Sequence, residues 1–160
     1  MEAIIGDKLQ SKEGIKPTSE HTADYYAIYI GAHWAPPCRK FNNDLKTWYE
    51  FANAGCGKKK NVEVIFVSLD GNEAHFNRHF AMMPWLALPY EDEARVAALK
   101  IRFEIKALPT LVVLDSKGEK ISEDARQEVT SAGQSEEAAK AVLTSWEELL
   151  KAPKEEEVKA

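Results

Sequence analysis

"YYAIYIGAHWAPPCRKF", residues 25–41, changes its period in the middle. From Tyr25 to Ala32 it is an unbroken apolar, aromatic and β-branched run, the composition of a buried strand. Pro36 and Pro37 then mark a helix entrance, because a first turn has no intrahelical partner for the amide that proline lacks. Beyond them Phe41, Leu45, Trp48 and Ala52 fall at i, i+4, i+7 and i+11, one face of a helix, which Gly55 and Gly57 close. Cys38 is thereby expected in a first turn, where backbone amides and the helix dipole stabilise a thiolate. Alone the motif is weak, since buried structural cysteines are common.

Composition bounds the setting. With 160 residues, 44% of them hydrophobic, the chain can bury one full core, and a second domain would be cramped. We expect a single domain over residues 1–151 and a charged, disordered tail over 152–160, where KAPKEEEVKA offers little to bury. The 21 Lys and Arg against 26 Asp and Glu give a net charge of -5 with no basic block, so no nucleic-acid partner is expected. Lys58 to Lys60 reads as a solvated loop. Cys38 and Cys56 are too few for a disulfide scaffold, which suits a reducing compartment. The start MEAIIGDKLQSKEG lacks the basic and apolar regions of a signal peptide, and no run approaches the roughly 20 apolar residues of a membrane span. The expectation is a monomeric cytoplasmic protein without a membrane association.

The remaining elements follow from pattern. VEVIFVSL, Val62 to Leu69, reads as a central strand covered on both faces. NEAHFNRHFAMM reads as helical through Phe76, Phe80 and Met83, and EDEARVAALKIRF through Val96, Leu99 and Phe103. MPWLALPY between them is too short and proline-bounded for a helix. TLVVLD, residues 110–115, is a strand, followed by a turn at DSKGEK and a short antiparallel strand near Lys120 to Ser122. A last helix begins after Ser135 as N-cap, with Glu136 and Glu137 at its positive end and Ala139, Val142, Leu143, Trp146, Leu149 and Leu150 on its apolar face. The order implies an α/β layer fold with mixed strand directions.

Leu108-Pro109-Thr110 stands at the entry of that 110–115 strand. Proline there donates nothing to a ladder, and a cis bond would turn the chain and present the backbone of Leu108. An ordinary strand-capping proline is the more frequent case, yet two weak features in the right chain order strengthen each other. "HWAPPCRKF" resembles a Trp-Cys-Pro-Pro-Cys-Arg active site, "MPWLALPYEDEAR" a distinctive insert, and "IKALPTLVVLD" a cis-proline loop and following strand. On these stretches the chain resembles the tryparedoxin and nucleoredoxin branch of the thioredoxin superfamily over roughly residues 5–150. The resemblance implies a thioredoxin-like fold, a central mixed β-sheet flanked by helices on both faces.

It also implies roles: Trp34 as the aromatic cover of the site, Cys38 as the resolving cysteine, Pro109 as the cis-proline receiving the substrate backbone, with Pro36, Pro37 and Leu108 beside them. Ala35 occupies the place of the family's nucleophile, where a methyl group can neither attack nor resolve a disulfide. Cys38 is expected to be less exposed and less dipole-stabilised than a residue at position 35. Cys56, at the far end of a helix spanning about 25 Å, is out of disulfide reach. Tyr29 stands where thioredoxins keep a buried aspartate, as is normal for tryparedoxins. Ala35 has two explanations, an introduced change in a working oxidoreductase or natural divergence; His33, in place of a small polar residue, leans toward the second. The family's chemistry implies disulfide-containing proteins of the peroxiredoxin type as substrates and a low-molecular-weight dithiol or flavoprotein as reductant, with no bound cofactor. The chain itself is expected to be impaired. The rival is a redox-inactive module holding an extended peptide beside Trp34 and Pro109.

Other candidates read as structural. His75 and His79 are spaced i, i+4 without a third ligand, so a solvated helix face is expected and no metal. Of the tryptophans, Trp48, Trp85 and Trp146 are expected in the core and Trp34 at the site.

Overall fold

The computed structural model describes residues 2–20, 22–32, 34–56, 60–122, 125–132 and 135–151. The tail from residue 152, together with His33, Gly57, Lys58 and Lys59, lies outside the described residues. The period change at the prolines is real: strand β3 (Ala23–Gly31) leads into helix α2 (Pro36–Ala52). Before them come α1 (Glu2–Ile5), the hairpin β1 (Lys8–Ser11) and β2 (Gly14–Pro17), and a 3-10 turn at Thr18–Glu20. After them follow β4 (Lys60–Ser68), α3 (Glu73–Phe80), β5 (Leu86–Ala87), α4 (Glu93–Arg102), β6 (Thr110–Asp115), β7 (Lys120–Ser122), α5 (Ala125–Ala132) and α6 (Glu136–Lys151).

Seven strands form one mixed sheet in the order β2-β1-β5-β4-β3-β6-β7. β3 is central, parallel to β4 with Ile28 beside Ile65, and antiparallel to β6 with Ile28 beside Val112. Side chains alternate across the sheet, so each strand feeds two cores. Tyr25, Ala27 and Tyr29 join Val64, Phe66, Leu111 and Val113 in a cluster with α2, α3, α5 and α6. Ile28 and Ile30 join Ile65, Val67, Val112 and Leu114 in a second cluster with α1 and α4. Both faces of the sheet are therefore covered by helices, as expected.

The sequence pattern missed four parts, the four-residue helix α1 among them. The hairpin β1–β2 buries little beyond Leu9, so alternation is too faint to read. β5 is two residues long, yet it lies inside the sheet between β1 and β4. α5 shows only Ala125 and Val129 as buried positions, a stripe too sparse to recognise. Ser135 does cap α6, its hydroxyl accepting from the amide of Ala138 at 3.3 Å. Helix α2 closes earlier than its glycines suggest, with Asn53 as C-cap and Gly55 at φ +84° in the following turn.

Candidate functional site

The site grows from the junction of β3 and α2. Ala35 is the N-cap of α2 in an extended conformation (φ -93°, ψ 111°), with Pro36 and Pro37 in the first two helical positions. A methyl side chain cannot cap, and the two prolines have no N–H, so the amide of Cys38 is the first donor of the helix. It donates to the carbonyl of Ala35 at 2.9 Å. Ala35 is 7% exposed and Cys38 0%. Both positions are buried, Ala35 marginally less than Cys38, which lies one turn further into the helix.

Gly31 explains how the sulfur fits. A Cβ added there would stand 3.3 Å from Cys38 Sγ and 3.2 Å from Tyr29 Cε1, tighter than such contacts normally are. A side chain there would force the Tyr29 ring or the Cys38 sulfur to give by a few tenths of an ångström. Tyr29, fully buried, donates its hydroxyl to the carbonyl of Cys38 at 3.2 Å. Burial pushes its phenol well above the usual range, with the nearby Cys38 and Asp70 adding to the shift and Arg126 opposing it. Its hydroxyl ties the helix turn to the strand. Burial also raises the Cys38 thiol, against a lowering by a backbone hydrogen bond from Ala32 and by Arg126, while Asp70 raises it further. A buried thiol so placed is a weak nucleophile. Arg126, on α5, escaped the sequence reading because its helix did.

Trp34 is 64% exposed, and its indole N–H donates to the carbonyl of Leu69 at 3.2 Å. Leu69 in turn donates its amide to the carbonyl of Gly31 at 3.0 Å. The loop after β4 thus ties the tryptophan to the end of β3. Trp48, Trp85 and Trp146 are buried in the core, so Trp34 alone of the four faces solvent. Across the junction, Leu108-Pro109 is a cis peptide. The register that sets Thr110 opposite Ile30 carries Pro109 to the level of Gly31, beside the turn that holds Cys38. Trp34, Ala35, Pro36, Pro37 and Cys38 thus follow the end of β3, and Leu108 and Pro109 precede β6 at the same end of these two paired strands.

Two groups fall elsewhere. Cys56 lies beyond the other end of α2, half-buried, and both cysteines are free. His79 corrects the reading of a solvated helix face: it is 0% exposed, its Nδ1 3.4 Å from Asp70 Oδ2 and its ring edge-on to Phe66, while His75 remains exposed. The i, i+4 spacing joins residues about 40° apart around the axis, and in so short a helix that is enough to turn one inward. Among the described residues no group of three His, Cys, Asp or Glu is gathered as a metal site would need, and no helix is long and apolar enough to cross a membrane. A cleft of about 290 Å³ opens between Leu69, Asp70, Tyr90 and the Glu93, Val96 and Lys100 face of α4.

Comparison with known proteins agrees with this geometry. A family model described as thioredoxin-like matches residues 23–120. Human nucleoredoxin is 39% identical over 129 residues, covering 80% of this chain and 29% of that protein. The chain thus spans under a third of nucleoredoxin's length. Tryparedoxin from Trypanosoma brucei brucei is 34% identical over 108 residues, covering 68% of this chain and 72% of that one. Among solved structures, tryparedoxin II complexed with glutathionylspermidine superposes with a TM-score of 0.71 at 31% identity, covering 78% of this chain and 85% of that chain.

Proposed function

Because the chain belongs to the tryparedoxin and nucleoredoxin branch of the thioredoxin superfamily, a family of oxidoreductases, we propose that it is a thiol–disulfide exchange domain arrested at Ala35. The observation that carries this reading is the pairing of Ala35 at the N-cap with Cys38 fully buried one turn later. Exchange needs a thiolate at position 35 to attack a substrate disulfide, forming a mixed disulfide and releasing one substrate thiolate. Cys38 then loses its proton and attacks that mixed disulfide. It releases the second substrate thiolate and closes a disulfide between positions 35 and 38. Two electrons from an external dithiol reopen it. With alanine at 35 the first step has no nucleophile, and Cys38 is too buried to replace it.

Disulfide proteins of the peroxiredoxin type are the proposed substrates, entering along Trp34 and the backbone at Leu108-Pro109. A low-molecular-weight dithiol or a flavoprotein is the proposed electron source, and the structure of tryparedoxin II with glutathionylspermidine favours the small molecule. The test is Ala35→Cys. The chain as it stands should show no turnover of insulin with dithiothreitol above the uncatalysed rate. The variant should form a disulfide with Cys38 and turn over. A variant that forms no 35–38 disulfide and no faster reduction would overturn this reading in favour of a peptide-binding module.

A further inference from the structure

The backbone proposed to receive substrate, Leu108-Pro109, has lining residues of a second cleft on either side of it in the chain. This cleft, of about 320 Å³, takes the segment after α4 as one wall, Thr110 and Val112 of β6 as its floor and Lys120 of β7 as the far wall. Ala107 and Thr110, which both line it, are tied together by the Thr110 hydroxyl, donating to the Ala107 carbonyl at 2.6 Å. Val112 belongs to the aliphatic core, whereas α2 packs in the aromatic one. The cleft thus opens on the face of the sheet opposite α2. Its volume is at the lower end of ordinary ligand clefts, roughly 300–1,000 Å³, which suits a side chain or two rather than a whole small molecule.

The charges around it are uneven. Lys106 and Lys120, both exposed, line the cleft with a single carboxylate, that of Glu104. Two further cations, Lys100 and Arg102, stand exposed in the last turn of α4. Glu119 is exposed next to Lys120 in the chain but does not line the cleft. In a chain of net charge -5, this cationic surface is a local feature. The wall that carries it is fixed by the end of α4: the amide of Glu104 donates to the carbonyl of Ile101 at 3.2 Å, and that of Ile105 to the carbonyl of Lys100 at 3.1 Å. Glu104 has φ +50°, at a position where helices commonly end in glycine.

We propose that this cleft is an exosite for the substrate, in which an acidic side chain beside the disulfide of a substrate protein docks at Lys106 and Lys120 while the neighbouring backbone lies along Leu108-Pro109. Complementary charge speeds encounter and selects among partners, and the apolar floor at Val112 receives the stem of the carboxylate. Lys106 and Lys120 are then specificity-determining residues, with no part in the sulfur chemistry itself. Glu104 works against them, because it repels the same acidic group. The inference rests on the exchange-site reading, since it names the substrate class of that site.

With alanine at 35 a bound disulfide peptide is not consumed, so the anisotropy of fluorescein-labelled peptides reads docking alone. The probes are cyclic disulfide peptides, identical except for a glutamate, a glutamine or a lysine on each side of the disulfide. At about 50 mM salt the glutamate peptide should bind about fivefold more tightly than the glutamine peptide and the lysine peptide most weakly, the differences shrinking at about 0.5 M salt. Lys106→Glu and Lys120→Glu should each abolish the preference. Lys46→Glu, an equal change of charge at an exposed position of α2, should leave it in place. Glu104→Gly should tighten the glutamate peptide about twofold, because it removes the opposing carboxylate and supplies the residue that most readily takes a positive φ. Equal affinity for the glutamate and glutamine peptides, no binding of any peptide, or a loss of preference in Lys46→Glu as large as in Lys106→Glu would overturn the proposal. Failure of Ala35→Cys to reduce insulin while the preference persists would sink the exchange reading and leave the acidic docking site. Insulin reduction without the preference would sink the exosite alone.

Discussion

The two faces of the sheet are built from different chemistry. One is aromatic: Tyr29 meets Phe41, Phe66 and Trp85 at ring centroid distances of 5.7, 5.4 and 6.1 Å, and Trp48 meets Trp146 at 5.6 Å. The other is aliphatic, Ile, Leu and Val packed under α1 and α4. Aliphatic side chains offer shape alone, whereas aromatic ones carry oriented edges and polar tips. The site stands where the aromatic face reaches the end of β3: Tyr29 uses its ring to fill the core and its hydroxyl to hold Cys38. The face that carries chemistry is the one whose large residues fix direction as well as volume.

This contrast predicts an order of effects. Trp48→Ala should cost the most, about 3–5 kcal/mol, because the ring is wholly buried against Trp146 and its removal leaves a large cavity in the core; urea unfolding reads it. Leu99→Ala, on the aliphatic face, should cost about 2–5 kcal/mol and fall below Trp48→Ala, since a smaller volume is lost under a helix with an open outer side. If Leu99→Ala proves the costlier, the aliphatic face is the true keystone and the contrast fails.

A subtler effect belongs to Glu63, buried and receiving the Tyr49 hydroxyl at 2.7 Å. Burial lifts its carboxyl to about 7, against a lowering by that hydrogen bond and by Lys60. The folded protein therefore holds this proton more tightly than the unfolded chain. The stability it contributes is full below the ordinary value of 4.5 and is lost as pH climbs through about 7. Glu63→Gln should remove that slope, so the variant gains on the parent by about 1–3 kcal/mol between acid and alkaline conditions. Unfolding free energies of both proteins at about pH 4 and 8 check it, and parallel pH profiles would refute it. Smallest of all, Ile101→Ser should change stability by less than about 0.5 kcal/mol, because Ile101 is 78% exposed on the outer side of α4. A larger loss in a melting experiment would mean that the aliphatic face extends further than its buried residues.

Much of the site was legible because its parts announce themselves locally. The two prolines after Ala35 suit the first turn of a helix, and Thr110 to Asp115 is a strand by its own apolar run, so Cys38 and Pro109 could be placed relative to their elements. Their roles came from resemblance to a family and not from spacing, since an isolated cysteine at a helix start has no fixed meaning. His79 shows the limit. Its spacing from the exposed His75 reads as a surface, yet Asp70, which stands against its ring, comes from the loop after β4.

What the sequence by itself determined is the period of each segment, because alternation and helical spacing are written in consecutive side chains: β3, α2, β4, β6 and the face of α6 follow from it. What only the tertiary structure decided is adjacency. β5 is a strand because β1 and β4 flank its two residues, and Arg126 bears on Cys38 because α5 packs beside α2. His79 is buried because Asp70 and Phe66 meet it there. Each of these depends on groups far apart in the chain, whose mutual approach is set by the closing of one sheet and two cores rather than by any local preference.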